Sequence, residues 1–211
     1  MLDTTLIVGT TGSGKSYAEH KILDRICSQK SGQFILIDPK LVELCDYMDS
    51  PLCDRYADAT GSTYAAIMHA YDVMNTRLRS MRHDHVKEWR YLPLYVFVDE
   101  MGALMNDSAH RKQYGEVLGD VAMKGRAARV FLVLCTQLPT RENLPNSIRD
   151  NMTNKVVLRL DDMSRARYVF GPGSNRWVSD LPRYGKCFVR TPDMAHPQLC
   201  DTDGICDVLD V

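Results

Sequence analysis

Short runs of apolar residues, each closed by a turn signal, recur along the chain at 4–8, 34–37, 94–98 and 130–135. A run that is apolar at every position suits a strand covered on both faces. Residues 155–160 alternate like a half-buried strand, and 186–190 reads as a last strand. Between these runs the apolar positions fall at helical spacing. Ala18, Ile22, Leu23 and Ile26 predict a helix over 16–27, broken by Ser31 and Gly32. A short helix is predicted over 41–48. Thr63 is expected to cap a long helix with Ile67, Ala70, Met74, Leu78 and Met81 along one face. Tyr114, Val117, Leu118 and Val121 predict a helix over 111–124, and 162–170 reads as a helix stopped by Gly171-Pro172-Gly173. The alternation of strand and helix predicts an α/β fold, a mostly parallel central sheet with helices on both faces. After Pro192 the periodicity fades, so 193–211 is expected to be a loosely packed tail behind a core of 1–192.

With 211 residues the chain is long enough for one α/β domain with a full core. A formal net charge of −1 excludes a polycation, so any nucleic-acid contact has to come from a local patch. No apolar run approaches the length of a membrane span, and no secretory signal pattern precedes the first strand. Seven cysteines are scattered without a C-x-x-C pair, and the odd count reads as free thiols in a reducing, cytoplasmic setting. The charged and aromatic stretch 83–91 reads as a surface loop or helix extension, with His83 and His85 facing solvent.

Chemistry enters directly behind the first strand. Gly9-Thr10-Thr11-Gly12-Ser13-Gly14-Lys15-Ser16 fits G-x-x-x-x-G-K-[ST], the phosphate-binding loop that joins a strand to a helix. Gly9, Gly12 and Gly14 permit positive φ, so the main chain can curl and aim its N–H groups at an anion. The helix that follows points its positive end at the same place. Lys15 is expected to reach the β- and γ-phosphates of ATP and Ser16 to ligate Mg²⁺, with Tyr17 completing the run of candidate nucleotide contacts. The strand at 94–98 ends in Asp99-Glu100. Asp99 is the second expected Mg²⁺ ligand. Glu100 points the other way and is expected to orient and deprotonate an attacking water. A carboxylate aimed at water favours hydrolysis over transfer to a small molecule. Gln137, at the end of the next strand, is expected to bond the γ-phosphate or that water. Arg126 and Arg129 precede the same strand. A guanidinium there can serve a neighbouring subunit's nucleotide, or simply belong to a solvated basic turn.

Four stretches together resemble the FtsK/SpoIIIE family of DNA translocases, within the wider FtsK–HerA group of ring motors. They are residues 9–16, Ile37-Asp38-Pro39-Lys40 with Glu43-Leu44, Val98-Asp99-Glu100, and 124–137, where a basic Arg-Ala-Ala segment leads into an apolar strand and Thr-Gln. A weaker likeness runs through Ile148 and Asn151, residues 155–160, Ser164-Arg165-Ala166-Arg167, Ser179-Asp180-Leu181-Pro182 and Gly185, so the resemblance spans 4–192.

The resemblance implies a RecA-like P-loop NTPase core that hydrolyses ATP and forms a hexameric ring around double-stranded DNA. By position it makes Arg126 an arginine finger acting between chains and Gln137 a γ-phosphate sensor. It places Arg167, with Arg165 beside it, in a DNA-contacting loop. Two positions depart from the family pattern: Leu138 stands where an arginine usually follows Thr-Gln, with Arg141 as the candidate substitute, and Met163 stands where a basic residue is expected. The family's membrane segment, the domain ahead of the motor and the C-terminal winged-helix reader are expected to be missing, as in a fragment or the minimal motor of a mobile element. The implied function is an ATP-driven DNA translocase core for segregation, conjugative transfer or packaging. One alternative is a secretion-type ATPase that moves protein, favoured by the apolar Leu138 and Met163. The other is a non-motor nucleotide switch, which would have no use for a lytic base such as Glu100.

Overall fold

Successive side chains of a strand point to opposite faces, and in this chain both faces meet helices. The computed structural model describes residues 1–90, 92–174, 178 and 181–211. Its elements in chain order are β1 (Thr5–Val8), α1 (Lys15–Gln29), β2 (Gln33–Ile37), β3 (Cys53–Ala57), α2 (Thr60–His83), β4 (Leu94–Val98), α3 (Met101–Met105), α4 (Arg111–Ala128), β5 (Val130–Thr136), α5 (Asn146–Arg149), β6 (Asn154–Val157), α6 (Ser164–Phe170), β7 (Lys186–Arg190), β8 (Gln198–Asp201) and α7 (Ile205–Val208). On one face Ile7, Phe34, Leu36, Phe97 and Val133 pack with Ala18, Ile22 and Ile26 of α1. On the other, Leu6, Ile35, Val96 and Leu132 pack with Ile67 and Ala70 of α2 and Leu118 and Val121 of α4. Each such large side chain contributes roughly 1.5–3 kcal/mol on leaving water, which is why the central strands are apolar throughout.

The sheet order is β3-β2-β4-β5-β1-β6-β7-β8. Strands β3 to β6 along this order pair in parallel, and β7 and β8 are each antiparallel to the strand before. The consequential feature is that β5 separates β1 from β4. Val8 of β1 is in register with Thr136 of β5, and Val98 of β4 with Leu134. The loops after β1, β4 and β5 therefore leave the same sheet edge side by side. Ligands of open α/β sheets sit at that carboxyl edge.

Local differences from the sequence reading have identifiable causes. The predicted helix over 41–48 is only a 3₁₀ turn at Cys45–Tyr47. The buried Asp38 carboxylate holds this loop by accepting from the backbone N–H groups of Lys40, Leu41, Glu43 and Leu44. Strand β3 carries no apolar run, because its residues are mostly polar and partly exposed, as an edge strand allows. Helix α2 starts at Thr60, and the expected cap Thr63 is buried inside its first turn. Ser62 Oγ instead accepts from the N–H groups of Asp58 and Ala59. Helix α4 runs on through the basic segment to Ala128, closed by Arg129 at φ 52°. Gly125 lets α4 end against β5, because a Cβ there would lie 2.1 Å from the Val130 carbonyl oxygen.

The expectation of a loosely packed 193–211 tail is corrected as well. This stretch forms β8, a 3₁₀ turn at Thr202–Gly204 and α7. Ile205, Cys206 and Leu209 are buried in the same cluster as α1. Short elements of this length give too few apolar repeats to be read as periodic. Among the described residues no helix is long and apolar enough to cross a membrane. Ser179 and Asp180, part of the weaker family likeness, lie outside the described residues, as does Tyr91 at the end of the 83–91 stretch.

Candidate nucleotide site

The loop after β1 is shaped by glycine at three places for two different reasons. Gly12 and Gly14 adopt positive φ of 71° and 92°, a conformation that costs other residues energy. Gly9, expected to do the same, does not. It is needed for space, since a Cβ on it would come within 2.3 Å of Ser13 Oγ and 3.0 Å of Leu158 Cβ. The loop is tied to the neighbouring strands by Gly9 N–H donating to the Thr136 carbonyl and Thr10 N–H to that of Arg159. Ser13 Oγ is buried and has no hydrogen-bond partner among the described residues. Helix α1 begins at Lys15, with Ser16 half-buried in its first turn and Tyr17 exposed.

Lys15 is the centre of a buried ionic group. Its ammonium, only 5% exposed, donates to the Asp99 carbonyl at 3.0 Å and to Asp99 Oδ1 at 3.2 Å. Asp99 is wholly buried and its Oδ2 is ion-paired with Lys40 Nζ at 2.8 Å. Burial pulls the Lys15 pKa down. Negative charge on Cys135 and Glu19 where they ionise, and on Asp99 and Glu100, outweighs it, and the ammonium is held above its ordinary range. Glu19 lies one turn further along α1 and is fully buried. Burial first, and then the charge of Asp99, push its pKa up to about 8 against the opposing pull of Lys15. Burial and Glu19 likewise raise the Cys135 thiol.

Glu100 is fixed by its neighbours. Its Oε1 accepts from Gly102 N–H at 3.2 Å, Thr136 Oγ1 at 3.1 Å and Gln137 N–H at 3.4 Å. Gln137 Oε1 accepts from Thr11 Oγ1 at 2.7 Å, which ties the end of β5 to the glycine loop. A cavity of about 190 Å³ beside the loop is lined by Thr10, Thr11, Gly12, Ser13, Arg159, Asp161 and Arg183. The structure thus gathers Lys15, Ser16, Asp99, Glu100 and Gln137 at one edge.

Arg126 is not among them. Its side chain is 78% exposed and its Nε lies 3.5 Å from Asp3, ahead of β1. That is the opposite end of the sheet, about 15 Å of strand away from the loop.

Sequence reasoning missed Glu19, Arg159 and Arg183 as members of this edge and gave Lys40 no role in it. Lys40 carried a signal, since it follows the second strand and so leaves the same edge. Arg159 and Arg183 carried none without the strand order.

The candidate DNA-facing arginines lie on loops and a short helix at this edge. Tyr168 of α6 donates to the Leu144 carbonyl at 2.7 Å, and the Arg149 guanidinium sits 4.4 Å over its ring. Arg141 is exposed between β5 and α5; burial raises the Tyr168 pKa against the opposing pull of the Arg149 and Arg141 charges. Arg165 is half-buried and paired with Asp162 at 3.9 Å, and Arg167 is exposed. Leu138 is 39% exposed. Arg149 is a further basic residue of this cluster that the sequence pattern did not single out.

A curled glycine loop, a lysine against a buried acid and the strand β5 between them define a P-loop nucleotide-binding domain of RecA-like fold. The chain belongs to the FtsK/SpoIIIE family, whose model matches residues 3–169. It is 26% identical over 195 residues to the DNA translocase FtsK of Corynebacterium glutamicum, which covers 80% of this chain and 21% of that protein. The chain therefore spans about a fifth of that relative's length. In structure it resembles the pCW3 conjugation coupling protein TcpA, with a TM-score of 0.81 at 17% identity over 95% of this chain and 60% of that one. It also resembles the cytoplasmic domain of the type VII secretion ATPase EccC of Thermomonospora curvata, with a TM-score of 0.77 at 17% identity over 98% and 28%.

Proposed function

We propose that this chain is the ATP-hydrolysing core of a DNA translocase. The observation that carries the reading is the joining of the glycine loop to Asp99 through Lys15 and to Gln137 through Thr11, with Glu100 bonded to Thr136 and Gln137 at the end of β5. The residues fit a nucleoside triphosphate and a divalent cation. A buried hydroxyl without a partner among the described residues, Ser13 Oγ, faces a loop kept open by glycine. Ser16 and Asp99 offer the hard oxygen ligands that Mg²⁺ takes. Bound Mg²⁺ would neutralise phosphate charge and polarise the γ-phosphoryl group.

The chain's own residues account for the rest. Lys15, held cationic, grips phosphate oxygens. Glu100, fixed through Oε1, orients a water and takes its proton, a contribution of about 10²–10⁴ in rate. Gln137 reads the γ-phosphate and reports to the glycine loop through Thr11. Arg126, exposed at the far end of the sheet, is suited to a neighbour's nucleotide in a homo-oligomeric, hexameric ring. Arg141, Arg165 and Arg167 supply cations for the backbone of double-stranded DNA of any sequence. Seven cysteines scattered without a C-x-x-C pair favour a cytoplasmic location.

A protein-moving ATPase is the second reading, favoured by the exposed Leu138, by Met163 and by the fold shared with EccC. A duplex-binding titration across salt separates the two. The DNA reading predicts that log K falls linearly with log salt, by roughly 0.9 per phosphate contacted. Absence of duplex binding at low salt with nucleotide present contradicts it.

A further inference from the structure

The antiparallel strands β7 and β8 place Cys187 directly opposite Cys200. Their sulfurs are 3.4 Å apart. Thr202 N–H donates to the Gly185 carbonyl one end of the ladder away. Because hydrogen-bonded and non-hydrogen-bonded pairs alternate, Cys187 and Cys200 occupy a hydrogen-bonded pair, whose Cα atoms lie about 5.5 Å apart. Disulfides span Cα separations of about 4.4–6.8 Å, so the backbone already stands at bridging distance. The sulfurs need to close by only ~1.4 Å to reach bond length. The remaining cysteines have no such partner among the described residues.

We propose that Cys187 and Cys200 form a reversible disulfide that fastens the C-terminal segment to the sheet. The two thiols have different roles. Cys187 is buried, whereas Cys200 is half-exposed and open to a reagent. The hydrogen bond from the Cys187 thiol favours the Cys200 thiolate and lowers its pKa. The Cys200 thiolate attacks one sulfur of a small-molecule disulfide, breaks its S–S bond and expels one thiolate. The Cys187 sulfur then attacks Cys200 Sγ and expels the second. The two protein thiols lose two protons and two electrons, and the reagent leaves as two thiols.

The bond closes a loop that holds the turn between the two strands. What it secures reaches back to the nucleotide edge. The segment after β8 grips α1, the helix that begins at the glycine loop. Arg25 pairs with Asp207 at 2.9 Å, Lys21 with Asp203 at 3.7 Å, and the Cys206 thiol donates to the Lys21 carbonyl. Tyr17, immediately after Ser16, donates its hydroxyl to Asp203. In the reduced protein β8 is the outermost strand of the sheet, and among the described strands it pairs with β7 alone. Oxidation converts that edge into a covalent strap across the end of the sheet.

The test equilibrates the full chain in buffers of reduced and oxidised glutathione, then counts thiols in denaturant and maps linked peptides. Titratable thiols are expected to fall from seven to five, with one linked peptide pair containing Cys187 and Cys200, restored by dithiothreitol. Amide exchange over 198–209 is expected to slow in the oxidised form. The Cys200→Ser variant keeps all its remaining thiols under the same oxidation. Seven thiols persisting in oxidised glutathione, or a bond mapped to another pair, overturns the proposal. A Cys187–Cys200 bond that leaves exchange over 198–209 unchanged overturns its role as a strap.

Discussion

Glu19 shows how much a single buried side chain weighs in this protein. A carboxyl enclosed by burial, with the charge of Asp99 acting on it in the same direction, stays protonated well above the usual range. The unfolded chain releases that proton near pH 4.5, whereas the folded chain keeps it to about pH 8. The stability Glu19 contributes is therefore complete below pH 4.5 and is lost as pH rises toward 8, by a few kcal/mol over the window. Glu19→Gln keeps the shape and removes the titration. Urea denaturation at pH 5.5 and 7.5, without nucleotide or metal, is expected to show a smaller loss of stability with pH in the variant than in the wild type. Equal losses in the two proteins contradict this account of Glu19. Nothing in the sequence marks this residue, because an acid in the second turn of a helix usually faces solvent. Only the sheet order shows that this face of α1 lies over β5 and Cys135.

At the scale of elements, α4 and the start of β5 meet in a tight joint at Gly125. Gly125→Ala puts a methyl group 2.1 Å from the Val130 carbonyl, and the backbone has to shift to accommodate it. A loss of about 1–3 kcal/mol is expected, measured as a lower denaturation midpoint, whereas Gly115→Ala on the same helix has open space and leaves stability unchanged or slightly raised. A tolerated Gly125→Ala contradicts the tight joint. The central elements were legible because their chemistry is local: β1, β2, β4 and β5 are apolar runs, and α1 and α4 repeat at helical spacing. The elements that were misread are held by distant partners. The 41–48 loop is shaped by Asp38 and not by its own propensity, β3 is a polar edge, and β8 with α7 depends on α1 for its burial.

For the whole molecule, the strand order divides the candidate catalytic residues between two ends. Lys15, Asp99, Glu100 and Gln137 meet at the carboxyl edge, while Arg126 stands exposed at the other. The motif order was readable along the chain, but this separation was not, because it follows from β5 lying between β1 and β4. On the proposed reading, a second copy of the chain supplies Arg126 to the site. Arg126→Ala is expected to bind nucleotide as the wild type does and to hydrolyse it about 10³–10⁵-fold more slowly. Mixed with Glu100→Gln subunits it is expected to regain part of the turnover, since some interfaces then pair an intact Glu100 with an intact Arg126. No recovery at any mixing ratio contradicts action between chains.

The central claim is hydrolysis coupled to DNA, and it is tested most directly by ATP turnover with and without duplex DNA across a series of protein concentrations. Turnover is predicted to rise more than linearly with protein, to increase on adding duplex, and to fall by about 10²–10⁴ in Glu100→Gln. Turnover that is indifferent to duplex at every concentration, or that survives Glu100→Gln, would contradict it.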